Sequence, residues 1–140
     1  MVGARSAMLV AASGLRGESA ILGPGRGRLR MIQRMHGLHL TADLHGCAVA
    51  RAEMTDPAAL RELCLAAVRG SGLTPVNELF HRFAQPAGSA EPAGITGVVL
   101  LAESHLAVHT WPELGAVTLD VYVCNFGADN SARAHSLLGA

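Results

Sequence analysis

The chain from His36 onward begins with two regular patterns of apolar and polar residues. Positions 38, 40, 42 and 44 are apolar and alternate with polar residues at 39, 41, 43 and 45, which is typical of a half-buried strand. Residues 56–69 repeat with the helical period instead, and Cys64 belongs to their apolar face. Asp56 is placed to cap this helix, and Pro57 suits its first turn. We therefore predict a strand followed by a helix, with Cys64 in the core.

The second half of the chain predicts several short strands and one terminal helix. Leu73–Phe83 has strand composition although Pro75 interrupts it, and Ala84–Gly94 is rich in Pro and Gly, as loops are. The remaining predicted elements are a buried strand at Gly97–Ala102, two strands at His105–Trp111 and Ala116–Cys124 joined as a hairpin, and a helix at Asn130–Leu138. This order predicts an α+β fold, an antiparallel sheet with helices packed on one face.

Residues 1–34 differ from the rest of the chain. They are rich in Gly and Arg and lack sustained periodicity, so we expect a disordered extension or a mis-assigned start, with Met31 or Met35 as the true first residue. The composition also fits an organelle transit peptide, whereas the apolar stretch Ala7–Ala12 is too short and poorly flanked for a signal peptide. Residues 35–140 are then expected to form a single domain.

The composition limits the classes of partner. No apolar run reaches the roughly 20 residues of a membrane span, and a charged fraction of only 16% suggests that some surface is buried in an oligomer. Residues 1–34 contain six Arg and one acidic residue, whereas residues 35–140 contain five Arg and ten acidic residues. The acidic balance of the predicted domain argues against nucleic acid and is compatible with a cationic substrate. Three cysteines without a CxxC pair favour a reducing, cytoplasmic setting.

The chain contains no lysine, since all 11 residues of the Lys and Arg total are arginines. A pyridoxal-phosphate enzyme holds its cofactor as a Schiff base on a lysine, so this chain is not such an enzyme. A genome that favours Arg over Lys is a sufficient explanation of the absence, but the consequence remains. Any amine–carbonyl chemistry here needs a carbonyl from another source.

The chemically most informative residues are Glu103-Ser104-His105, where the buried strand ends. This polar triplet lies at a bend between two apolar strands, so Ser104 combines an exposed hydroxyl with a constrained backbone, as attack on a neighbouring carbonyl requires. A hydrolase triad is disfavoured because the GxSxG elbow is absent. A metal site at His105 and His109 is disfavoured because both lie on a strand and the HExxH pattern is absent, so we expect no metal.

The segments around this triplet resemble the small prokaryotic S-adenosylmethionine decarboxylases, a self-cleaving, pyruvoyl-dependent family. The similarity rests on Ala102–Glu113 (AESHLAVHTWPE), followed by Val117–Cys124, and on His39–Cys47 and Phe80–Phe83 upstream. It extends over roughly residues 36–128, nearly all of the predicted domain. Residues 1–34 have no counterpart in this resemblance.

The resemblance implies that a precursor cleaves itself between Glu103 and Ser104 into fragments 1–103 and 104–140. The Ser104 hydroxyl would attack the Glu103 carbonyl, and elimination with loss of ammonia would leave a pyruvoyl group at the new N-terminus. This cofactor would form a Schiff base with the substrate amine and act as the electron sink, without lysine. His109 would move a proton during self-processing, and Thr96 would support that step.

The resemblance also implies three residues of the decarboxylation site. Cys124 would reprotonate the substrate carbon after CO₂ leaves, Phe83 would stack on the adenine, and Glu113 would bind the ribose hydroxyls. Their structural alternatives are a buried core cysteine, a core aromatic and a turn carboxylate. For Cys124, alternation favours the functional role, because it shares a strand face with polar residues rather than with the apolar Val121 and Val123.

This chain departs from the family pattern at four places. Thr96 replaces the usual Ser and keeps the hydroxyl on a stiffer side chain, and Asn125 replaces Gly after Cys124, where we expect tolerance of a positive φ. The loop Ala84–Gly94 is longer than usual, and Leu114–Ala116 replaces a more aromatic stretch. The first two departures leave self-cleavage plausible, whereas the last two put the identity of the substrate in doubt.

Three hypotheses follow. The first is an S-adenosylmethionine decarboxylase that produces decarboxylated S-adenosylmethionine for spermidine biosynthesis, as a cytoplasmic homodimer of cleaved protomers with sites at or near the dimer interface. The second is a pyruvoyl-dependent ornithine or arginine decarboxylase on the same scaffold. The third is a paralogue that does not cleave itself and acts as a regulatory partner.

Overall fold

The computed structural model describes residues 7–12, 36–85, 87–88 and 90–140. Its strands are β1 (Ala7–Ala12), β2 (Gly37–His45), β3 (Pro75–Arg82), β4 (Ile95–Leu101), β5 (Ser104–Trp111) and β6 (Ala116–Cys124). The helices are α1 (Pro57–Gly70) and α2 (Ser131–Leu138). Single 3-10 turns lie at Ala52–Met54 and at Pro112–Leu114.

The six strands form one antiparallel sheet in the order β1-β2-β6-β5-β4-β3. Strands β3 to β6 follow one another as hairpins, and β2 closes on the free side of β6. Strands β5 and β6 therefore lie in the middle of the sheet, each between its hairpin partner and a strand from the first 103 residues. A chain cut before Ser104 would leave the two fragments interleaved within one sheet.

One face of the sheet carries both helices and the hydrophobic core. Helix α1 packs over β3 and β4, and α2 packs over β2 and β6. Leu40, Val99, Val108 and Val121 point to this side and are 0–1% exposed. In β5 the buried positions are 106, 108 and 110, so residues 105, 107, 109 and 111 point to the opposite face. We call this second face the open face, because no described helix covers it.

The architecture confirms the α+β prediction, and most predicted elements are found within a few residues of the expected bounds. Asp56 caps α1, with its Oδ1 accepting from the Ala58 backbone N–H at 2.9 Å. Cys64 lies in the core at 6% exposure, and burial raises the pKa of its thiol to about 11. Strand β3 begins at Pro75, which suits an edge strand because proline has no N–H to donate.

Strand β1 lies within the segment that was expected to be a disordered extension. Its six residues pair antiparallel with β2, from Ala7 opposite Leu44 to Ala12 opposite His39. For Ala7–Ala12 the structure therefore has a strand where the sequence predicted disorder, because the edge of β2 that does not face β6 pairs with this apolar segment. The rest of residues 1–34 lies outside the described residues. Neither of the two described helices is long and apolar enough to cross a membrane.

Candidate active site

The bond between Glu103 and Ser104 lies at the tight turn between β4 and β5. Leu101 pairs with Ser104 across the hairpin, so only Ala102 and Glu103 form the turn. Glu103 has φ +66°, and it is the one non-glycine residue of the described ranges in the left-handed region. That conformation costs a residue with a Cβ about 1–2 kcal/mol. The structure thus stores backbone strain at the residue whose carbonyl was predicted to be attacked.

The Ser104 hydroxyl is held against the neighbouring strand. Its Oγ accepts a hydrogen bond from the backbone N–H of Cys124 at 3.1 Å. Cys124 is 7% exposed, so its burial agrees with the core alternative and its contact with Ser104 agrees with the functional one. The sheet therefore brings Glu103, Ser104 and Cys124 together at one end of β5 and β6.

The backbone of Cys124 is also fixed from its other side. The Asn130 side chain donates from Nδ2 to the Cys124 carbonyl at 3.1 Å, and the Asn130 N–H donates to Oδ1 of Asn125 at 2.8 Å. The φ of Asn125 is not positive, so the expected tolerance of asparagine for a left-handed backbone is not used at this position. Its side chain instead closes the 125–130 loop. Asn130 was predicted at the start of the terminal helix, and no local signal in the sequence indicates its contact with Cys124.

His109 and Thr96 lie together in the middle of the open face. They are direct cross-strand partners in the β4–β5 pairing, and Thr118 lies opposite His109 on β6. Side chains at directly opposed positions have Cβ atoms about 4.5–5.5 Å apart. The imidazole of His109 is thus flanked by two threonine side chains. This pairing joins the two residues that were predicted to support self-processing.

Phe83 and Glu113 lie at the far end of the sheet, near the start of β4 and the end of β5. The Phe83 ring is 5.9 Å from the Trp111 ring, centroid to centroid, at an interplanar angle of 30°. A concavity of about 290 Å³ adjoins Phe83, and Arg82, Thr55 and Gln85 line it. Glu113 is exposed on the 3-10 turn that follows Trp111. The predicted substrate-binding residues therefore share an end of the sheet with an aromatic pair and a shallow cavity.

One protomer does not bring all of these residues into a single site. Ser104 and His109 are five residues apart on β5, which is about 17 Å along a strand. An odd separation also directs their side chains to opposite faces. Phe83 contacts Trp111 at the other end of the strand, farther still from Ser104. The predicted residues thus form three groups: the cleavage end, the His109 pair, and the Phe83 end.

The residues at the turn between β4 and β5 bear on which cofactor the site could carry. Within the described ranges, no three His, Cys, Asp or Glu side chains converge as a metal ion would require. The strained Glu103 and the oriented Ser104 hydroxyl are what a carbonyl generated from the serine would need. The residues present therefore fit a pyruvoyl group at position 104.

Comparison with known proteins places this chain in a family. A family model described as S-adenosylmethionine decarboxylase matches residues 38–139. The S-adenosylmethionine decarboxylase proenzyme of Aquifex aeolicus is 43% identical over 88 residues, which cover 63% of this chain and 58% of the relative. The proenzyme of Persephonella marina is 40% identical over 103 residues, covering 74% of this chain and 70% of the relative. This chain thus spans less than two thirds of the Aquifex relative.

A solved structure is similar in fold as well as in sequence. The crystal structure of the adenosylmethionine decarboxylase from Aquifex aeolicus superposes with a TM-score of 0.60 at 37% sequence identity. The superposition covers 74% of this chain and 74% of the other. The two chains are therefore similar in sequence as well as in architecture.

Proposed function

Because the chain belongs to the S-adenosylmethionine decarboxylase family, we propose that it is a precursor that cleaves itself between Glu103 and Ser104 and then decarboxylates S-adenosylmethionine. The product would feed spermidine biosynthesis in a reducing, cytoplasmic setting, with which the free thiols of Cys47, Cys64 and Cys124 agree. The observation that carries the proposal is the pair formed by the strained Glu103 backbone and the Ser104 hydroxyl held by Cys124.

The proposed cleavage converts an amide into an ester and then breaks the chain. The Ser104 Oγ attacks the Glu103 carbonyl carbon, the C–N bond breaks, and the Ser104 nitrogen takes the hydroxyl proton. Loss of the Ser104 Hα then expels the Glu103 carboxylate, which keeps the former Oγ. Hydrolysis at residue 104 consumes one water and releases one ammonia. Release of the left-handed Glu103 backbone contributes about 1–2 kcal/mol to this process.

The pyruvoyl group at residue 104 would supply a ketone that withdraws electrons from the breaking C–CO₂ bond. The Cys124 thiol, on the strand beside residue 104, is the proposed proton donor to the substrate carbon. Phe83 would bind the adenine by stacking, and Glu113 would accept hydrogen bonds from the ribose hydroxyls. His109, with Thr96 beside it, would move the proton that the Ser104 hydroxyl loses during cleavage.

The separation of these groups within one protomer supports a homodimer as the active form. In this proposal the open faces of two sheets pack together around a twofold axis, and the partner's His109 serves the Ser104 end of the first protomer. Leu79 and Leu100 lie on the open face and are 68% and 47% exposed, which is apolar surface that a second sheet would bury. The low charged fraction of the chain agrees with such an interface.

The first experiment is a denaturing intact mass of the purified protein, followed by release of CO₂ from carboxyl-labelled S-adenosylmethionine. We expect two fragments, and the fragment starting at residue 104 should be lighter than a serine-started peptide by one ammonia. Ser104→Ala should stay intact, while Ser136→Ala, at an exposed serine of α2, should cleave normally. If the cleaved protein releases CO₂ only from labelled ornithine or arginine, that amino acid is the substrate in place of S-adenosylmethionine. An intact wild-type chain would contradict the proposal that the protein is a self-cleaving enzyme.

The dimer is tested by mixing two inactive variants. Ser104→Ala and His109→Ala are expected to remain uncleaved when each is produced alone. When they are co-expressed with different tags, the His109→Ala chain should be cleaved, because a Ser104→Ala partner still provides a histidine. If no cleavage occurs in demonstrated mixed dimers, His109 does not act across the interface. A monomer in sedimentation experiments would also contradict the proposal.

A further inference from the structure

Four residues form a connected cluster on the open face, which we call the histidine clamp (His39, His105, Asp120 and Tyr122). The Asp120 carboxylate bridges two imidazoles. Oδ2 lies 2.5 Å from Nε2 of His39, and Oδ1 lies 3.3 Å from Nε2 of His105. The Tyr122 ring lies between the same imidazoles, stacked on His105 at 5.8 Å and edge-on to His39 at 6.0 Å. Each member thus contacts at least two others.

The clamp extends across three strands and its geometry follows from the register. His105, Tyr122 and His39 occupy directly opposed positions on β5, β6 and β2, and Asp120 lies two residues before Tyr122 on the same face. Gly37 contributes by lacking a side chain, since a Cβ at this position would overlap the Tyr122 ring. The tyrosine ring is therefore held from several directions.

The clamp lies beside Ser104 and Cys124 at the cleavage end. His105 directly follows Ser104 in the chain, and Tyr122 is two residues from Cys124 on β6. Once the Glu103–Ser104 bond is broken, residue 104 becomes a chain end, and terminal residues of a strand fray unless something holds them. The hydrogen bond from Cys124 to the Ser104 Oγ is lost as well, because that oxygen leaves with Glu103.

The clamp also connects the two fragments that cleavage produces. His39 belongs to fragment 1–103, whereas His105, Asp120 and Tyr122 belong to fragment 104–140. The side chains involved are partly exposed in one protomer, at 46% for His39, 41% for His105 and 33% for Asp120. The hydrogen bond between His39 and Asp120, and the contact of Asp120 with His105, restrict the orientation of these planar side chains.

We propose that Asp120, through His105 and with His39 as its second anchor, positions residue 104 after cleavage. Asp120 is thus a positioning residue for the pyruvoyl group, and the clamp matters more to the cleaved enzyme than to the precursor. In the precursor the Ala102–Glu103 turn still holds Ser104 from the other side. The inference rests on the proposed self-cleavage, although it does not depend on which substrate the enzyme uses.

The test compares Asp120→Asn and Asp120→Ala with wild type by intact mass, hydrogen exchange and steady-state kinetics. Asparagine keeps one acceptor oxygen and satisfies one imidazole, while alanine satisfies neither. Glu62→Gln, on the outer surface of α1 at 71% exposure, is the carboxylate control. His39→Asn breaks only the anchor in fragment 1–103 and is the milder variant if either substitution at position 120 impairs folding.

We expect complete cleavage of both Asp120 variants, and at least tenfold faster hydrogen exchange at the first amides of fragment 104–140. The value of kcat should fall about tenfold for Asp120→Asn and further for Asp120→Ala, with KM within twofold, because a misplacement near 1 Å costs up to about a hundredfold in rate. Failure to cleave, unchanged exchange, or an equal effect in Glu62→Gln would overturn the proposal. Altered exchange in a protein that decarboxylates no S-adenosylmethionine would support the clamp and reject only the substrate.

Discussion

The two ends of strand β5 carry different parts of the proposed chemistry and are built by different means. At the Ser104 end, atoms are fixed by a two-residue turn, a strained φ at Glu103 and the hydrogen bond that the Cys124 N–H donates to the Ser104 Oγ. At the Trp111 end, the Phe83 ring packs against the Trp111 ring, beside an exposed loop and a shallow concavity. One end is defined by the hydrogen-bond register of the sheet, and the other by a contact between side chains, with Trp111 on β5 and Phe83 just after β3.

In the proposed function, this difference separates bond breaking from substrate choice. A peptide that must attack itself requires fixed geometry within the chain, which a sheet register supplies. Recognition of a small molecule requires a shape that changes with loop length, and the long Ala84–Gly94 loop lies at this end. We infer that changes at the Ser104 end alter rates, whereas changes at the Trp111 end alter affinity.

The largest expected effect is that of Cys124→Ala. The variant keeps the backbone N–H that bonds the Ser104 Oγ, so self-cleavage should proceed. Decarboxylation should fall by about a hundredfold or more, because the proposed proton donor is gone. Intact mass and labelled CO₂ release measure the two steps separately. The half-buried Cys47 is the matched control, and an equal loss in Cys47→Ala would remove the special role of Cys124.

Phe83→Leu tests the opposite end. Leucine keeps apolar contact with Trp111 but removes the ring, and stacking of a base on an aromatic side chain is worth about 1–3 kcal/mol. We expect KM to rise about tenfold, with kcat within twofold and cleavage unaffected. Phe126→Leu, at an exposed phenylalanine after β6, should leave both constants unchanged. A lower kcat at constant KM would contradict the inference that changes at the Trp111 end alter affinity rather than rate.

Glu103→Gly removes the strain at the cleavage end without removing a reacting atom. Glycine adopts a positive φ at little cost, so the strain of about 1–2 kcal/mol should disappear. We expect cleavage to slow roughly five- to tenfold, and the uncleaved chain to be about 1 kcal/mol more stable when compared in a Ser104→Ala background.

Ala102→Gly is the control for this change, because Ala102 in the same turn does not have a positive φ. Glycine at position 102 should destabilise the chain rather than stabilise it. Mass spectra taken over time and urea unfolding provide the two readouts. Faster cleavage of Glu103→Gly than of wild type would show that strain at residue 103 does not drive the step.

The smallest effect concerns the core that both ends share. The Cys64 thiol ionises near pH 9 in the unfolded chain but only near pH 11 when buried. The free energy of unfolding should therefore fall as the pH rises through this window, by about 1 kcal/mol at pH 10. In a Ser104→Ala background, Cys64→Ala should lose this dependence and Cys47→Ala should keep it. If the free energy of unfolding changes with pH in the same way in Ser104→Ala and in both cysteine variants made on it, Cys64 is not the source of the pH dependence.

Much of the fold could be predicted because its signals are local. Alternation at positions 38–45 predicts β2, and the Asp56 cap with its apolar stripe predicts α1. The cleavage end was also partly predictable, since the Glu103-Ser104-His105 triplet interrupts two apolar strands. Strand β1 was missed because a six-residue apolar segment becomes a strand only when another strand offers its edge.

The amino-acid sequence alone determined the order of the strands and helices from β2 onward, the absence of lysine, and the motif on which the proposed cleavage site rests. Only the tertiary structure decided which residues meet. The register of β5 with β6 brings Ser104 to Cys124 and connects His105 to Asp120, while about 17 Å of strand separates Ser104 from His109. Periodicity specifies the face of each residue, but strand pairing sets the neighbours across the sheet, and pairing joins positions far apart in the chain.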